Sequence, residues 1–218
     1  MRARSAMGGS VSAITRDAIV DAAIAIADED GLERISMRAV ARRLGIQAMS
    51  LYHHVRDKTE MLDAVHERIF LETDLAVRSQ EWAEVFRDAG RAYRAMALRH
   101  PSLFVLIATR PLTTPSELAH VAPMLKLLDD AGLSAQQQLF FVQAFFCALN
   151  GFLLAEVSSI PGHPEVENSR LATPTDAAPS MLRLAAQIDA SGQSQEYLSE
   201  HFETFMDVLL AGLDERAA

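Results

Sequence analysis

An all-α fold is what this sequence predicts, and three observations predict it. Apolar residues recur three and four positions apart through nearly the whole chain, the spacing that lines one side of a helix. No strand-like alternation of β-branched residues stands out, and no internal repeat is visible. Glycine and proline punctuate the chain at 31, 45, 101, 111, 132, 161 and 192 and cut it into helix-length pieces. The chain has 218 residues, half of them hydrophobic, enough to bury a sizeable core in one or two domains.

The pieces can be taken in order. Residues 1 to 13 are small, polar and basic, with Arg2 and Arg4. They read as a solvated tail or as an arm that grazes a polyanion. Thr15 can cap a first helix, with Asp17 in its first turn to complement the dipole. Ile19, Ala23 and Ile26, backed by Val20 and Ala27, form its inner face, and the run from Asp28 to Gly31 ends it. Leu32 to Ile35 bridge to Ser36, which can cap a second helix with Val40, Ala41 and Leu44 on one apolar side. Gly45 can end that helix in the left-handed conformation, and Ile46 plugs the corner. A third, short helix begins at about Ala48, with Leu51 and Val55 facing inward. Its outward side carries Ser50, Tyr52, His53 and His54, followed by Arg56 and Lys58. Two short helices joined by a tight glycine turn form a helix-turn-helix, whose second helix fits the DNA major groove and can donate to phosphates and base edges.

Asp57 can cap a fourth helix expected to run to about Arg78, lined by Met61, Leu62, Val65, Ile69 and Leu75. A fifth covers 82 to 99, with Trp82, Val85, Phe86, Ala89, Tyr93, Met96 and Ala97 at helical spacing, and His100-Pro101 breaks it. A sixth, Leu103 to Ala108, stops at Thr109-Arg110-Pro111. A seventh runs from about Ser116 to Ala131, with a kink or break expected at Pro123. Ser134 caps an eighth to about Ser159, apolar nearly all round, which predicts burial on more than one side. Pro161 to Pro179 reads as a proline-rich loop, and Met181 to Ile188 as a short helix. The last helix, Glu196 to Leu213, puts Phe202, Phe205, Met206, Leu209, Leu210 and Leu213 on one wide face. The surplus apolar surface of this helix and the eighth suggests a helical dimer interface; an intramolecular core is the other reading.

Charge is unevenly distributed. The formal net charge is −9, but residues 1 to 60 total +1 and residues 61 to 218 total −10. Arg38, Arg42, Arg43, Arg56 and Lys58 supply local positive charge at the helix-turn-helix, and the acid lies elsewhere. One cysteine, Cys147, lies in an apolar run and is expected to be buried and inert, and the lack of a disulfide framework fits a reducing cytoplasm. The N-terminus lacks the apolar core of a signal peptide. Leu139 to Val157 is the most apolar stretch, but Gln143, Asn150 and Glu156 interrupt it, so a buried helix is expected and no membrane partner.

The run from Ala41 to Ile46, followed by Ser50-Leu-Tyr-His-His-Val-Arg-Asp-Lys58 and Leu62, resembles the DNA-binding domain of the tetracycline-repressor (TetR) family. The rest of the chain is similar to that family's tetracycline-repressor branch. The landmarks are Trp82, Leu98-Arg-His100, Thr109-Arg-Pro111, Ala131-Gly132, Gly151, the proline-rich loop and the closing Leu209-Leu-Ala-Gly-Leu213. The resemblance implies an all-helical homodimer with a three-helix DNA-binding head at 1 to 60. A helical ligand-binding and dimerisation domain at 61 to 218 would bind a small molecule and release operator DNA. It carries over Arg38 as a base or phosphate contact. Gln47, Ala48, Met49 and Ser50 match the start of the recognition helix, Tyr52 and His54 match backbone contacts, and His53 stands where an aromatic reads. Lys58 matches a phosphate contact where free helix amides help hold the anion. Tyr52 could equally be half core, and His53 and His54, being adjacent, point apart and cannot be a helical metal pair. Ala48 and Met49 cannot hydrogen-bond bases through their side chains, so they read thymine methyls or fit shape.

The departures from the family pattern concern the effector. The family's tetracycline repressors hold a magnesium–drug chelate with a histidine on the sixth helix, and Leu106 stands there. Ala89, Met124 and Asp74 replace an asparagine, a glutamine and a histidine of the same site. Leucine cannot ligate magnesium, so no metal and no cofactor are expected. Tyr93, Leu106, Thr109, Met124, Phe141 and Phe145 would line an apolar pocket with a few polar handles, or simply fill a core. The expected partners are double-stranded operator DNA, an effector of unknown identity and a second copy of the chain. A ligand-independent dimeric DNA-binding regulator is the nearest alternative, and a helical-bundle enzyme the more distant one. A cavity in the second domain separates the first two readings, and operator binding separates both from the third.

Overall fold

Ten α-helices and one 3-10 turn make up the regular structure of the described residues, with no strand among them. The computed structural model describes residues 14–157, 178–191 and 195–217. The basic tail with Arg2 and Arg4, and most of the proline-rich loop, lie outside the described residues. In order, the helices are α1 (Arg16–Asp30), α2 (Met37–Leu44), α3 (Ala48–Leu51), α4 (Lys58–Leu71), α5 (Trp82–Arg99), α6 (Pro101–Thr109), α7 (Pro115–Asp130), α8 (Ala135–Val157), α9 (Pro179–Ser191) and α10 (Gln195–Ala217). The 3-10 turn, Leu32–Arg34, joins α1 to α2. The chain divides into two units, Met1–Ile69 and Phe70–Ala218, so most of α4 goes with the head.

Caps set the starts of the head's helices. Thr15 Oγ1 accepts from the Ala18 amide at 3.1 Å, Ser36 Oγ from Ala39 at 3.2 Å and Asp57 Oδ1 from Glu60 at 2.9 Å. Gly45 ends α2 at φ 70°, a left-handed position where a side chain would be strained. Ile19, Ala23, Ile35, Val40, Leu51, Val55, Met61 and Val65 are buried together in this unit. Two guanidinium clamps tie the outer edges to α1. Arg43 forks onto both oxygens of Glu29 at 2.6 Å, and Arg68 reaches Asp17 at 2.6 Å and Asp21 at 2.8 Å.

The fourth helix stops at Leu71 and not near Arg78. Asp74 explains this. Its Oδ1 accepts from the amide two residues on, Ala76 N, at 3.1 Å, and its Oδ2 takes Arg78 at 2.5 Å. A side chain that satisfies local backbone competes with the helix. Leu75 is buried as expected, but from this irregular connector. The 14 residues of α4 rise about 21 Å at 1.5 Å per residue, against the about 30 Å that a helix to Arg78 would have spanned.

In the second unit α5 packs against α6, α7, α8 and α10, and α8 against α6, α7 and α10. The sixth helix starts two residues before its expected first turn, because Pro101 suits N1, where no amide is needed. Thr114 and Glu117 form a reciprocal capping box at the start of α7. Pro123 does not break α7. Its missing N–H leaves the carbonyl of Ala119, which faces solvent. His120 on the same helix reaches the Thr73 carbonyl at 2.7 Å and packs edge-on to Phe70. Along α8, Phe141, Phe145, Leu149 and Leu153 are buried, one row at i, i+4 spacing. Leu139, Phe140, Gln143, Cys147, Gly151 and Ala155 are exposed, so the single chain covers one side of α8 and not several. Cys147 is therefore exposed, not buried, because it lies opposite the buried row. By length and composition α8 could cross a membrane; its buried row instead packs on α5, α6, α7 and α10.

Candidate functional site

The head exposes one face of α3 by anchoring the opposite one. Leu51 and Val55 are fully buried, which fixes the rotation of α3 and of the turn after it. With that register set, Arg38, Gln47, Met49, Tyr52, His53 and Lys58 are exposed, and Ala48, Ser50 and His54 are half-buried. Tyr52 is 48% exposed, so it is not a core residue. The nine residues singled out from the sequence thus lie on α2, α3, the following turn and the first turn of α4. Gln47, at the N-cap of α3, makes no side-chain capping bond, which leaves its amide available.

Not every cation near this face is available to a phosphate. Arg43 is engaged by Glu29, whose carboxyl is held below its ordinary value chiefly by that hydrogen bond. Arg56 Nε donates to Glu60 Oε2 at 2.9 Å, and the Arg56 amide donates to the same oxygen at 2.8 Å. The backbone amide is the larger cause of the low pKa of Glu60. Sequence counting treats all five cations alike; spatial pairing separates Arg38, Arg42 and Lys58, which are exposed, from the two engaged in ion pairs.

The residues singled out for an effector separate into two groups. Ala89, Tyr93, Leu106, Met124, Phe141 and Phe145 are all buried in the second unit. Tyr93, Phe141 and Phe145 belong to a chain of edge-on rings. Phe141 meets Trp82 at 5.1 Å and Phe86 at 4.8 Å, and Phe86 meets Phe145 at 5.0 Å. The chain continues from Phe145 to Phe146 at 5.3 Å, and from Tyr93 to Phe146 at 5.7 Å and to Phe104 at 5.6 Å. Asp74 and Thr109 do not join this group. Asp74 faces solvent with Arg78, and Thr109 is exposed, its hydroxyl donating to the Val105 carbonyl at 2.6 Å.

Sequence reasoning missed the polar partners inside this region. Tyr93 Oη donates to Asn150 Oδ1 at 2.9 Å, and Asn150 Nδ2 donates to the Ala108 carbonyl at 3.4 Å. Burial pushes the Tyr93 phenol well above its ordinary value, so it stays a neutral donor. Nearby, Glu156 is almost fully buried and takes Arg94 through contacts of 2.5 to 3.1 Å, while Arg94 Cζ lies 5.1 Å from the Phe202 ring centre. The signal was present: a polar residue inside an apolar run must find a buried partner. Magnesium does not suit the site. Leu106 has no lone pair to offer, and Ala89, Met124, Phe141 and Phe145 supply no carboxylate or imidazole.

Comparison with known proteins gives a consistent likeness. Residues 77–217 match the family described as tetracyclin repressor-like, C-terminal domain, and residues 19–65 match bacterial regulatory proteins, tetR family. Tetracycline repressor protein class D of Escherichia coli is 27% identical over 190 residues, 85% of this chain and 84% of that one. The HTH-type transcriptional repressor DrrR1 of Streptomyces coeruleorubidus is 29% identical over 199 residues, 90% of this chain and 72% of that one. Among solved structures, ActR of Streptomyces coelicolor in complex with actinorhodin superposes with TM-score 0.79 at 26% identity, covering 95% of this chain and 100% of that one.

Proposed function

The chain belongs to the TetR family of bacterial regulators, and on that premise we propose that it is a homodimeric repressor released from a palindromic operator by a small, mostly apolar effector. One observation carries the DNA-binding half of the reading: α3 is anchored by Leu51 and Val55 and shows solvent the side chains that would meet base edges and phosphates. Arg38, Gln47, Ala48, Met49, Ser50, Tyr52, His53, His54 and Lys58 form the proposed contact set. The activity is binding and release in the cytoplasm, with no chemical step.

Support for the effector half comes from the second unit. Ala89, Tyr93, Leu106, Met124, Phe141 and Phe145 form the proposed effector region, with the Tyr93–Asn150 hydrogen bond as its polar handle. Asp74 and Thr109, exposed and held by local hydrogen bonds, lie outside this buried group. ActR, a structural neighbour, was solved with actinorhodin bound, which favours an organic effector for this chain too. The effector acts only through its differential affinity for the DNA-bound and released states.

Footprinting on the DNA beside the reading frame tests the proposal. The expected footprint is two half-sites about 34–36 Å apart, one turn, as a two-fold dimer requires. A single unpaired half-site contradicts it. Lys58→Ala is expected to weaken binding to operator and random duplex alike and to lower the salt slope by about one unit. Titration at several salt concentrations measures this; a loss confined to one sequence would show that Lys58 reads bases instead.

A further inference from the structure

Met49 is 73% exposed at the second position of α3, beside half-exposed Tyr52 one turn on. Its side chain can neither donate nor accept a useful hydrogen bond, and leaving so large an apolar group in water is unfavourable. The flanking surface is the opposite in character, with exposed Arg38, Arg42 and Lys58 and the unengaged Gln47 amide. An apolar spot ringed by cations complements one surface in particular. In the major groove, phosphates border base edges, and thymine alone among the four bases projects a C5 methyl there.

We propose that Met49 reads thymine: each operator half-site places a thymine methyl against the Met49 side chain, so an A·T pair is selected there by apolar contact. The inference rests on the operator-binding reading above. Ala48 is half-buried and too short to compete for the contact, and Ser50 is half-buried beside it. A flexible, polarisable thioether suits this task, because it can settle on a methyl without a fixed rotamer. Gln47 and His53, exposed on either side of Met49 in sequence, supply hydrogen bonds to neighbouring bases.

The experiment is selection of duplexes from a randomised pool by the full-length protein, followed by replacement of single thymines in the selected duplex with deoxyuridine. That swap deletes the methyl and keeps every hydrogen-bonding group. One thymine per half-site is expected to lose about fourfold in affinity when demethylated, the ratio matching about 0.8 kcal/mol for one buried carbon. In Met49→Ala the same swap is expected to cost nothing, and Met49→Leu, which keeps the apolar volume, is expected to restore the dependence. If no thymine is methyl-sensitive, or if Met49→Ala stays as sensitive as the unmodified protein, the inference is overturned while operator binding stands. If no sequence is enriched at all, both fall.

Discussion

If the chain forms the proposed homodimer through α8, Gly151→Arg is expected to convert it into a folded monomer and to weaken operator binding by about 10²–10⁴-fold, the advantage that linking two half-site contacts provides. Gly151 lies in the middle of the exposed side of α8, in line with Phe140, Gln143, Cys147 and Ala155. None of these is an acidic or basic side chain, and the small residues leave room for a second helix to approach. A Cβ built at Gly151 meets no atom within 4 Å, so the single chain has space for the new side chain. Arginine is also the better helix former, by up to about 1 kcal/mol. In the proposed interface a helix apposed to α8 would leave no such space, and a guanidinium there would be buried without a partner. Analytical ultracentrifugation and operator titration read the two effects. Circular dichroism confirms the fold, and Gly151→Ala, which adds only a methyl, serves as the control. A Gly151→Arg protein that remains dimeric places the interface on another surface.

How much of this was legible in the sequence depends on whether the cause is local. Thr15, Ser36 and Gly45 act within one turn of themselves, so the helix ends of the head could be read directly. Leu51 and Val55, four apart, phased α3 and so fixed which residues face out. The end of α4 could not be read the same way. The apolar spacing continues through Leu75, and what stops the helix is Asp74 bonding to Ala76 and Arg78. In α8 the difficulty is the reverse. A helix apolar on all sides carries no phase, so spacing alone could not tell that Phe145 faces inward and Cys147 outward.

Side-chain pairing across the chain was the other blind spot. Arg43 and Glu29 are far apart in sequence, and nothing in either neighbourhood announces the fork between them. Counting five cations near the recognition helix overstated those ready for phosphate, since Arg43 and Arg56 are already in ion pairs. The same holds for Tyr93 with Asn150 and Arg94 with Glu156, where two helices must be packed before the partner is known. Asp74 and Thr109 show the limit of transferring roles by position. Both match effector-site positions in the resemblance, and both face solvent here because local hydrogen bonds hold them there.

Phe145→Ala is expected to cost about 3–5 kcal/mol of stability, the usual range for deleting a buried phenyl ring. Phe145 is fully buried and touches Phe86 and Phe146 edge-on, so its loss breaks the ring chain at its centre. The surrounding rings are held by α5 and α8, two long helices whose backbones cannot easily collapse into the space. For a chain of this size the loss corresponds to roughly 2–4 °C in Tm per kcal/mol. Because the chain has two units, unfolding need not be one step, and hydrogen exchange resolves the effect by element. Protection should fall in α5 and α8 and persist in α1 and α2, since the core of the head does not depend on Phe145. The hole would be apolar and sized for one ring, so benzene is expected to bind it and recover part of the lost stability. A loss below about 1 kcal/mol with no effect of benzene would mean that the neighbouring rings close over the site. Uniform loss of protection from α1 to α10 would instead mean that the two units unfold together.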